Sequence, residues 1–529
     1  MPVLGTPPER SISQPGAAPS CSHARATAAR PKGFYSRMFP EPAAPLFAED
    51  EARLVELGTA MRYDVEREGS LTPRIGFTYF GQFLGHDLTY DPTPLGGPYS
   101  APEMTPNFRT AAFDLDHVYG GGPQGSPFLY EGDESAETFK IGASTAGAWN
   151  RDIPLRHGRL LIGDLEDTRN LDNLLLRQLH VIFLKFHNEA IRQLQTNPAI
   201  KGAAELAGPG TLFEQARRLV CWHYQWIIRH DYLPRLLHND VWRYQARRPP
   251  PRRDHGFAIP IEFSLAAFRF GHSMVRKAYR LNCRQKRVLL EELMALGQRA
   301  APIEDDHLVE WGIFFDGLPS SSPQASSAFI DTSITEAMHG LAPEILRLAN
   351  RLESAHPPNL PVRTLLRGAR AQLPSGQEAA DFLLTEEKIQ PADRLTRAEL
   401  TADRCNRSGT VLGRVGLAEN TPLFYYILKE AEVRARGLTL GPVGSHIVSD
   451  VIQSALECDP DSYLSTAGHH WALPAWRFPN GSERAVNSLI GIIRLVGDDR
   501  LLPECEAHWR RFQPPPPPLR AANEYGRGR

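Results

Sequence analysis

Two short stretches of this 529-residue sequence carry residue types whose spacing could do chemistry. In TYFGQFLGHDLTYDPTP (78–94), Gln82 and His86 stand four apart. On a helix they share one face, while Asp87 points elsewhere. A neutral imidazole there could take a proton from a bound molecule and return it to another atom. Burial would help by holding the imidazole pKa down. Taken alone, a histidine on an apolar helix is more often a packed core or surface residue. In RTAAFDLDHVYG (109–120), Thr110, Ala112, Asp114 and Asp116 occupy every second position. Alternate residues of an extended loop turn to one side. Calcium takes six to eight hard oxygens, and carboxylates, a hydroxyl and a backbone carbonyl supply them. The glycine and terminal glutamate of an EF-hand loop are absent. On spacing alone a polar turn with Asx caps is the plainer reading.

The elements that must position these groups read as helices. Leu171, Leu174, Leu175, Leu179, Ile182, Phe183, Phe186, Ala190 and Ile191 recur at three- and four-residue steps and predict one long amphipathic helix. The stretch Leu212 to Leu237, with Leu219, Trp222, Trp226 and Ile227, predicts another. Residues 264–277, 421–435 and 444–458 also read as helices, and alternating strand patterns are scarce. The fold class expected is mainly α. Residues 1–33, rich in Ala, Pro, Ser and Arg, and the proline-rich tail 513–529 are expected to be disordered. RYQARRPPPRRDHG (243–256) reads as a loop.

Composition narrows the function classes. Apolar residues make up 42% and charged residues 23%, as in globular domains. With 59 basic against 61 acidic residues, the charge gives no sign of nucleic acid or an anionic membrane as partner. No apolar run approaches the roughly 18 residues that would span a bilayer. The first 33 residues lack the apolar segment of a secretory signal, which points to a cytoplasmic protein, with signal-less export left open. The six cysteines form no C-x-x-C pair and are expected to be free thiols in a reducing compartment. The sequons at Asn406 and Asn480 would then carry no sugar.

The words GQFLGHD, FDLDHVYG and FRFGHS, in that order, resemble the animal-type haem peroxidases of the peroxidase–cyclooxygenase superfamily, most closely their bacterial members. The resemblance runs over roughly residues 33–500. It includes RMFPEPAAP, NTPLFYYILKEAE and LGPVGSHIVSDVI, and several separated motifs in order are far more specific than one. It implies a single large haem-peroxidase domain over residues 34–512, with few or no strands, that binds haem b and calcium. The implied activity is reduction of hydrogen peroxide and oxidation of a small organic molecule or halide through a ferryl intermediate.

Residue by residue, the resemblance gives His86 the role of distal histidine and Gln82 that of the glutamine beside the small-anion site. It makes Asp87, Thr110, the Ala112 carbonyl, Asp114 and Asp116 the calcium ligands. The family's Gly-Asp-x-Arg stretch is similar to GDLEDTR, two residues longer, and Arg169 aligns with the catalytic arginine from the C-terminal side. A permanent cation there would stabilise charge on a leaving oxygen. His272 matches the proximal axial ligand. Arg269 matches the arginine near a haem propionate, and Asn420 the asparagine that accepts from the proximal imidazole.

The departures matter too. Two carboxylates that form haem esters in vertebrate members align with Gly85 and Asp172. Gly85 can form none, and Asp172 is one methylene shorter than the family's glutamate, so no ester is expected. The radical tyrosine of the cyclooxygenase branch aligns with Arg269, which disfavours fatty-acid dioxygenase chemistry. An oxygenase acting on a lipid or specialised metabolite, or a haem-binding relative without turnover, are the alternatives. His180 and His187 read as core or supporting residues rather than ligands.

Overall fold

In a computed structural model of the chain, the structure describes residues 33–43, 51–63, 69–91, 101, 104–131, 137–147, 149–163, 167–245, 256–284, 287–341, 358–468 and 471–512. The expectations for residues 1–32, for the tail 513–529 and for the basic segment 247–253 lie outside the described residues.

The helices that frame the core are α1 (Glu51–Ala60), α2 (Ile75–Leu88), α3 (Asp116–Tyr119), α4 (Leu174–Thr196), α5 (Leu212–Ile227), α6 (Gly271–Met274), α7 (Leu360–Arg370), α8 (Leu423–Arg434) and α9 (Pro442–Cys458). Strands among the described residues form only five two-stranded antiparallel ribbons, such as Tyr130–Glu131 with Thr138–Phe139. The mainly α expectation therefore holds.

Helix α4 runs through the middle of the molecule, where Leu174, Leu175, Leu179, Ile182, Phe183, Phe186 and Ala190 are all buried. It packs against α5 on one side and α2 on another. Truncating one such leucine to alanine removes packing worth about 2–5 kcal/mol. Its interior also holds Arg177, paired with Asp152 at 2.8 Å and donating to the carbonyls of Arg299 and Ala301 at 2.8 Å each. That pairing satisfies a charge that would otherwise be costly to bury.

Three predicted helices have different limits. The apolar stripe begins at Leu171, but α4 begins at Leu174 because Asn173 is extended and its side chain accepts from the Leu176 N–H. Leu171 instead closes a 3₁₀ turn, Arg169–Leu171. The stretch 212–237 starts with a capping box of Thr211 and Glu214, then widens into a π-turn at Ile228–Tyr232 before Leu233–Leu236. Pro234 lacks the N–H that a continuous helix would need, and the wider turn accommodates it. Residues 264–277 are broken rather than continuous: a helix at Ile261–Leu265, a 3₁₀ turn at Ala267–Arg269, then α6. The break sits at Ala266, whose φ of -132° and ψ of -71° leave the helical region. Helices α8 and α9 fall where the periodicity put them.

The thiol expectation is overturned for two cysteines. Cys283 and Cys505 form a disulfide across 222 residues, tying the segment after residue 278 to the helix Pro503–Phe512. Sequence spacing gave no sign of it because the partners meet only through the fold. Cys221 is a buried thiol. Of the two sequons, Asn406 is buried and donates to the Thr332 carbonyl, while Asn480 is exposed at a hairpin turn.

Candidate active site

Helix α2 is apolar on almost every face, and twelve of its fourteen residues are buried. Its C-terminal half carries Gln82, His86 and Asp87. Gly81 lets it approach α5's continuation: a Cβ there would stand 2.2 Å from the Tyr232 hydroxyl. Packing on all sides fixes the rotation of α2, and with it the direction of His86.

His86 is 6% exposed. Its Nδ1 lies 3.0 Å from Asn170 Oδ1. Burial, and then the neighbouring Arg169 cation, hold its pKa well below the usual imidazole value. The ring is therefore neutral at pH 7 and able to accept a proton. Gln82 accepts a hydrogen bond from Asn173 Nδ2 at 3.2 Å, so the residue that caps α4 also orients the glutamine.

Arg169 opens the 3₁₀ turn before α4. Its Nη2 donates to the His86 carbonyl at 3.3 Å, and its guanidinium lies 4.6 Å from the Tyr90 ring centre. Nε and Nη2 both bind the Asp167 carboxylate, at 2.7 and 2.5 Å. Arg109 binds the same carboxylate from the other side, Nη2 to Oδ2 at 2.6 Å. Burial alone would raise the Asp167 pKa; Arg169 and Arg109 overcome it and hold the carboxyl well below the usual range. The sequence reading missed Asp167 and Arg109. Its available signal was Asp167-Thr168-Arg169, which keeps an Asp-x-Arg spacing inside the longer GDLEDTR.

The acidic loop turns back on itself at Leu115 rather than running extended. Thr110 Oγ1 donates to Asp114 Oδ2 at 3.1 Å, and Asp114 Oδ1 accepts from the Asp116 N–H. Asp87 Oδ2 accepts from the Leu115 N–H at 3.4 Å. Leu115 is buried with φ +55°, a left-handed conformation costing about 1–2 kcal/mol in a non-glycine residue. This turn brings Asp114 and Asp116 toward Asp87. Burial, and then Asp114, push Asp116 up to about 8, and the same two causes raise Asp87. Carboxylates gathered this way suit a hard divalent cation. Two protein groups already share the loop: Arg109 Nη1 pairs with Asp116 at 3.0 Å, and His117 Nδ1 lies 2.8 Å from Asp87 Oδ1. Asp87, Asp116 and His117 place ligand atoms within 4.8 Å of one another. Ala112 is buried in the same loop.

The second histidine stands on the short helix α6, which packs against α2. The His272 ring meets Phe424 of α8 edge-on at 6.3 Å, and Asn420 lies at the turn leading into that helix. Arg269, one turn before His272, donates from Nε to the Ser264 carbonyl at 3.0 Å. Arginine side chains at positions 169 and 269 are suited to pair the carboxylates of a porphyrin. A Cβ built on Gly85 would meet only Phe268, at 3.5 Å, so position 85 faces the segment carrying His272 without offering a carboxylate. Asp172 is half-buried beside Arg169, whose carbonyl accepts from its N–H at 2.9 Å. His86, His272 and the two arginines are a donor set that fits an iron porphyrin. His187 belongs to the core, with Nδ1 3.1 Å from the Tyr119 hydroxyl.

Residues 94–347 match the sequence profile of the family described as animal haem peroxidase. A peroxidase-like protein of Margaritifera margaritifera is 32% identical over 119 residues, and Peroxidase mlt-7 of Caenorhabditis elegans is 29% identical over 106. These matches cover 21% and 20% of this chain, and only 14% of either relative's length. Among solved structures, peroxidase A of Dictyostelium discoideum is similar with a TM-score of 0.57 at 14% identity, over 89% of this chain and 95% of that one. A fatty acid alpha-dioxygenase of Oryza sativa is similar with a TM-score of 0.60 at 15% identity, over 90% and 82%. These structural likenesses are of fold.

Proposed function

We infer that this chain, whose residues 94–347 match the animal haem peroxidase family, is a haem-dependent oxidoreductase that reduces hydrogen peroxide and oxidises a small organic molecule or halide. One observation carries the reading. His86 is buried and neutral, tied at Nδ1 and flanked by Arg169, on a helix packed against the one that bears His272.

His272 would hold the iron of haem b, Arg269 would pair a propionate, and Asn420 is the candidate acceptor for the second ring nitrogen of His272. The bound haem would supply the redox chemistry of the iron and porphyrin. The chain's own residues handle protons and charge. His86 would take a proton from one peroxide oxygen and deliver it to the other, which departs as water. Arg169 stabilises negative charge on that departing oxygen, and Asp167 keeps the guanidinium in place. Gln82, fixed by Asn173, lines the same face of α2 and is placed to contact a small anion.

Calcium in the acidic loop would hold Asp87 and thereby its neighbour His86. Asp87, Asp114, Asp116 and Thr110 offer the oxygens, together with the Ala112 carbonyl. With Gly85 in place of a carboxylate and the shorter Asp172, the haem is expected to stay free of esters. The Cys283–Cys505 disulfide favours maturation in an oxidising compartment over the reducing one its scattered cysteines suggested.

The similarity in fold to a fatty acid alpha-dioxygenase supports a second reading, oxygen insertion into a lipid. The two are separated by one experiment on haem-supplemented protein. A histidine-ligated ferric absorption spectrum that changes rapidly with one equivalent of peroxide, without oxygen uptake in the presence of a fatty acid, supports the peroxidase. Oxygen uptake dependent on fatty acid supports the dioxygenase. Absence of haem uptake overturns both.

A further inference from the structure

We propose that Asn170 and His180 are positioning residues that hold the proton of His86 on Nδ1, leaving Nε2 bare toward the peroxide site. The inference rests on the peroxidase reading for its purpose, but on hydrogen bonding for its geometry.

Three buried side chains from three elements form one chain of contacts. His86 ends α2, Asn170 lies in the 3₁₀ turn after Arg169, and His180 lies in the second turn of α4. Their exposures are 6%, 4% and 1%. His86 Nδ1 is 3.0 Å from Asn170 Oδ1, and Asn170 Nδ2 is 3.1 Å from His180 Nδ1. An amide has one accepting end and one donating end, whereas a neutral imidazole nitrogen either donates or accepts. A single asparagine between two imidazoles therefore forces opposite tautomers. His86 must donate from Nδ1, and His180 must accept at Nδ1 and carry its proton on Nε2.

The direction matters for chemistry. A neutral imidazole left to itself favours the proton on Nε2, the wrong tautomer for a base that must meet peroxide with that nitrogen. Holding the proton on Nδ1 removes the unproductive form. The charged and titratable groups around His86 are Arg169, Asp167 and His117. Arg169 reaches the His86 carbonyl, and His117 faces Asp87. Asn170 is thus the group placed to choose the tautomer. The amide oxygen faces His86 and the amide nitrogen faces His180. Position 170 directly follows the catalytic arginine, so the turn that delivers Arg169 also delivers this acceptor.

The test is nitrogen-15 NMR of the full-length, histidine-labelled chain before haem is added, joined to stopped-flow mixing with peroxide after it. In the wild type, His86 should carry its proton on Nδ1 and His180 on Nε2. Asn170→Asp, which keeps the side-chain volume, presents acceptors at both ends. His86 should keep its Nδ1 proton, while His180 moves its own from Nε2 to Nδ1. Asn170→Leu should release His86 into a mixture of tautomers and slow the peroxide reaction about 10–100-fold, the scale of losing an orienting partner. Asn170→Asp should recover most of that loss. A wild-type His86 protonated on Nε2 overturns the proposal, as does Asn170→Leu with unchanged His86 nitrogen signals. The assigned tautomers in a haem-loaded protein that ignores peroxide would uphold the positioning and overturn the peroxidase reading.

Discussion

Arg109 Nη2 lies 2.6 Å from Asp167 Oδ2, so the carboxylate that anchors the catalytic arginine candidate is also tied to the acidic loop. Arg109 is 2% exposed and Asp167 1% on their side chains, and Arg109 reaches Asp116 with its other nitrogen. A line of charges therefore runs from the loop, through Arg109 and Asp167, to Arg169 beside His86. Electrostatic preorganisation of this kind is effective because the dipoles and charges are set before the reaction begins.

Asp167→Asn keeps the shape but removes the charge that both guanidiniums need. Breaking a buried ion pair in this way costs about 3–5 kcal/mol. Urea unfolding should show that loss. The peroxide reaction should slow as well, because Arg169 loses its bidentate partner. Unchanged stability and rate would show that Asp167 anchors neither arginine.

Replacing His86 by alanine should slow the reaction with peroxide about 10²–10⁴-fold, the usual contribution of a positioned acid–base group. Haem binding should survive, since His272 is the axial candidate. Stopped-flow absorbance checks both. A variant reacting at the wild-type rate would remove His86 from the mechanism.

Calcium at a hundred times its dissociation constant should stabilise the chain by about 2.7 kcal/mol, and a chelator should reverse the gain. Asp114→Asn should abolish the response, because Asp114 touches both Thr110 and the Asp116 backbone. Differential scanning calorimetry with and without calcium reads the effect. Equal melting temperatures would show that Arg109 and His117 satisfy the loop without a metal.

Acid should destabilise the fold earlier than its carboxylates alone would require. Burial holds His180 and His187 neutral down to about 3, and His223 down to about 4. The unfolded imidazoles protonate near 6.5. Between those limits the unfolded chain binds more protons than the folded one. Stability is therefore complete above about 6.5 and falls as pH drops, by about 1.4 kcal/mol per pH unit for each histidine. His187→Phe should flatten the unfolding free energy plotted against pH between 4 and 6. An unaltered slope would contradict the assignment.

Cys283→Ser opens the 222-residue cross-link. The loss should be about 2–4 kcal/mol, seen as a lower urea midpoint in oxidising buffer. In reducing buffer the variant and wild type should converge; a difference that persists there would be due to the serine and not to the bond.

The sequence determined which faces are apolar and in what order the reactive words occur. The three- and four-residue periodicity of α4, and the runs that become α8 and α9, record burial along a single segment. So does the shared face of Gln82 and His86. What periodicity cannot record is which distant groups meet. Tertiary packing decided that Asp167 lies between Arg109 and Arg169, that Asn170 bridges His86 and His180, and that Cys283 finds Cys505. It also decided where the predicted helix at 264–277 breaks, at Ala266, to set Arg269 and His272 on separate turns. The Arg109–Asp167, His86–Asn170 and Cys283–Cys505 pairings join residues 58, 84 and 222 positions apart. Their energies come from desolvated charges and hydrogen bonds that exist only once the core has closed around them.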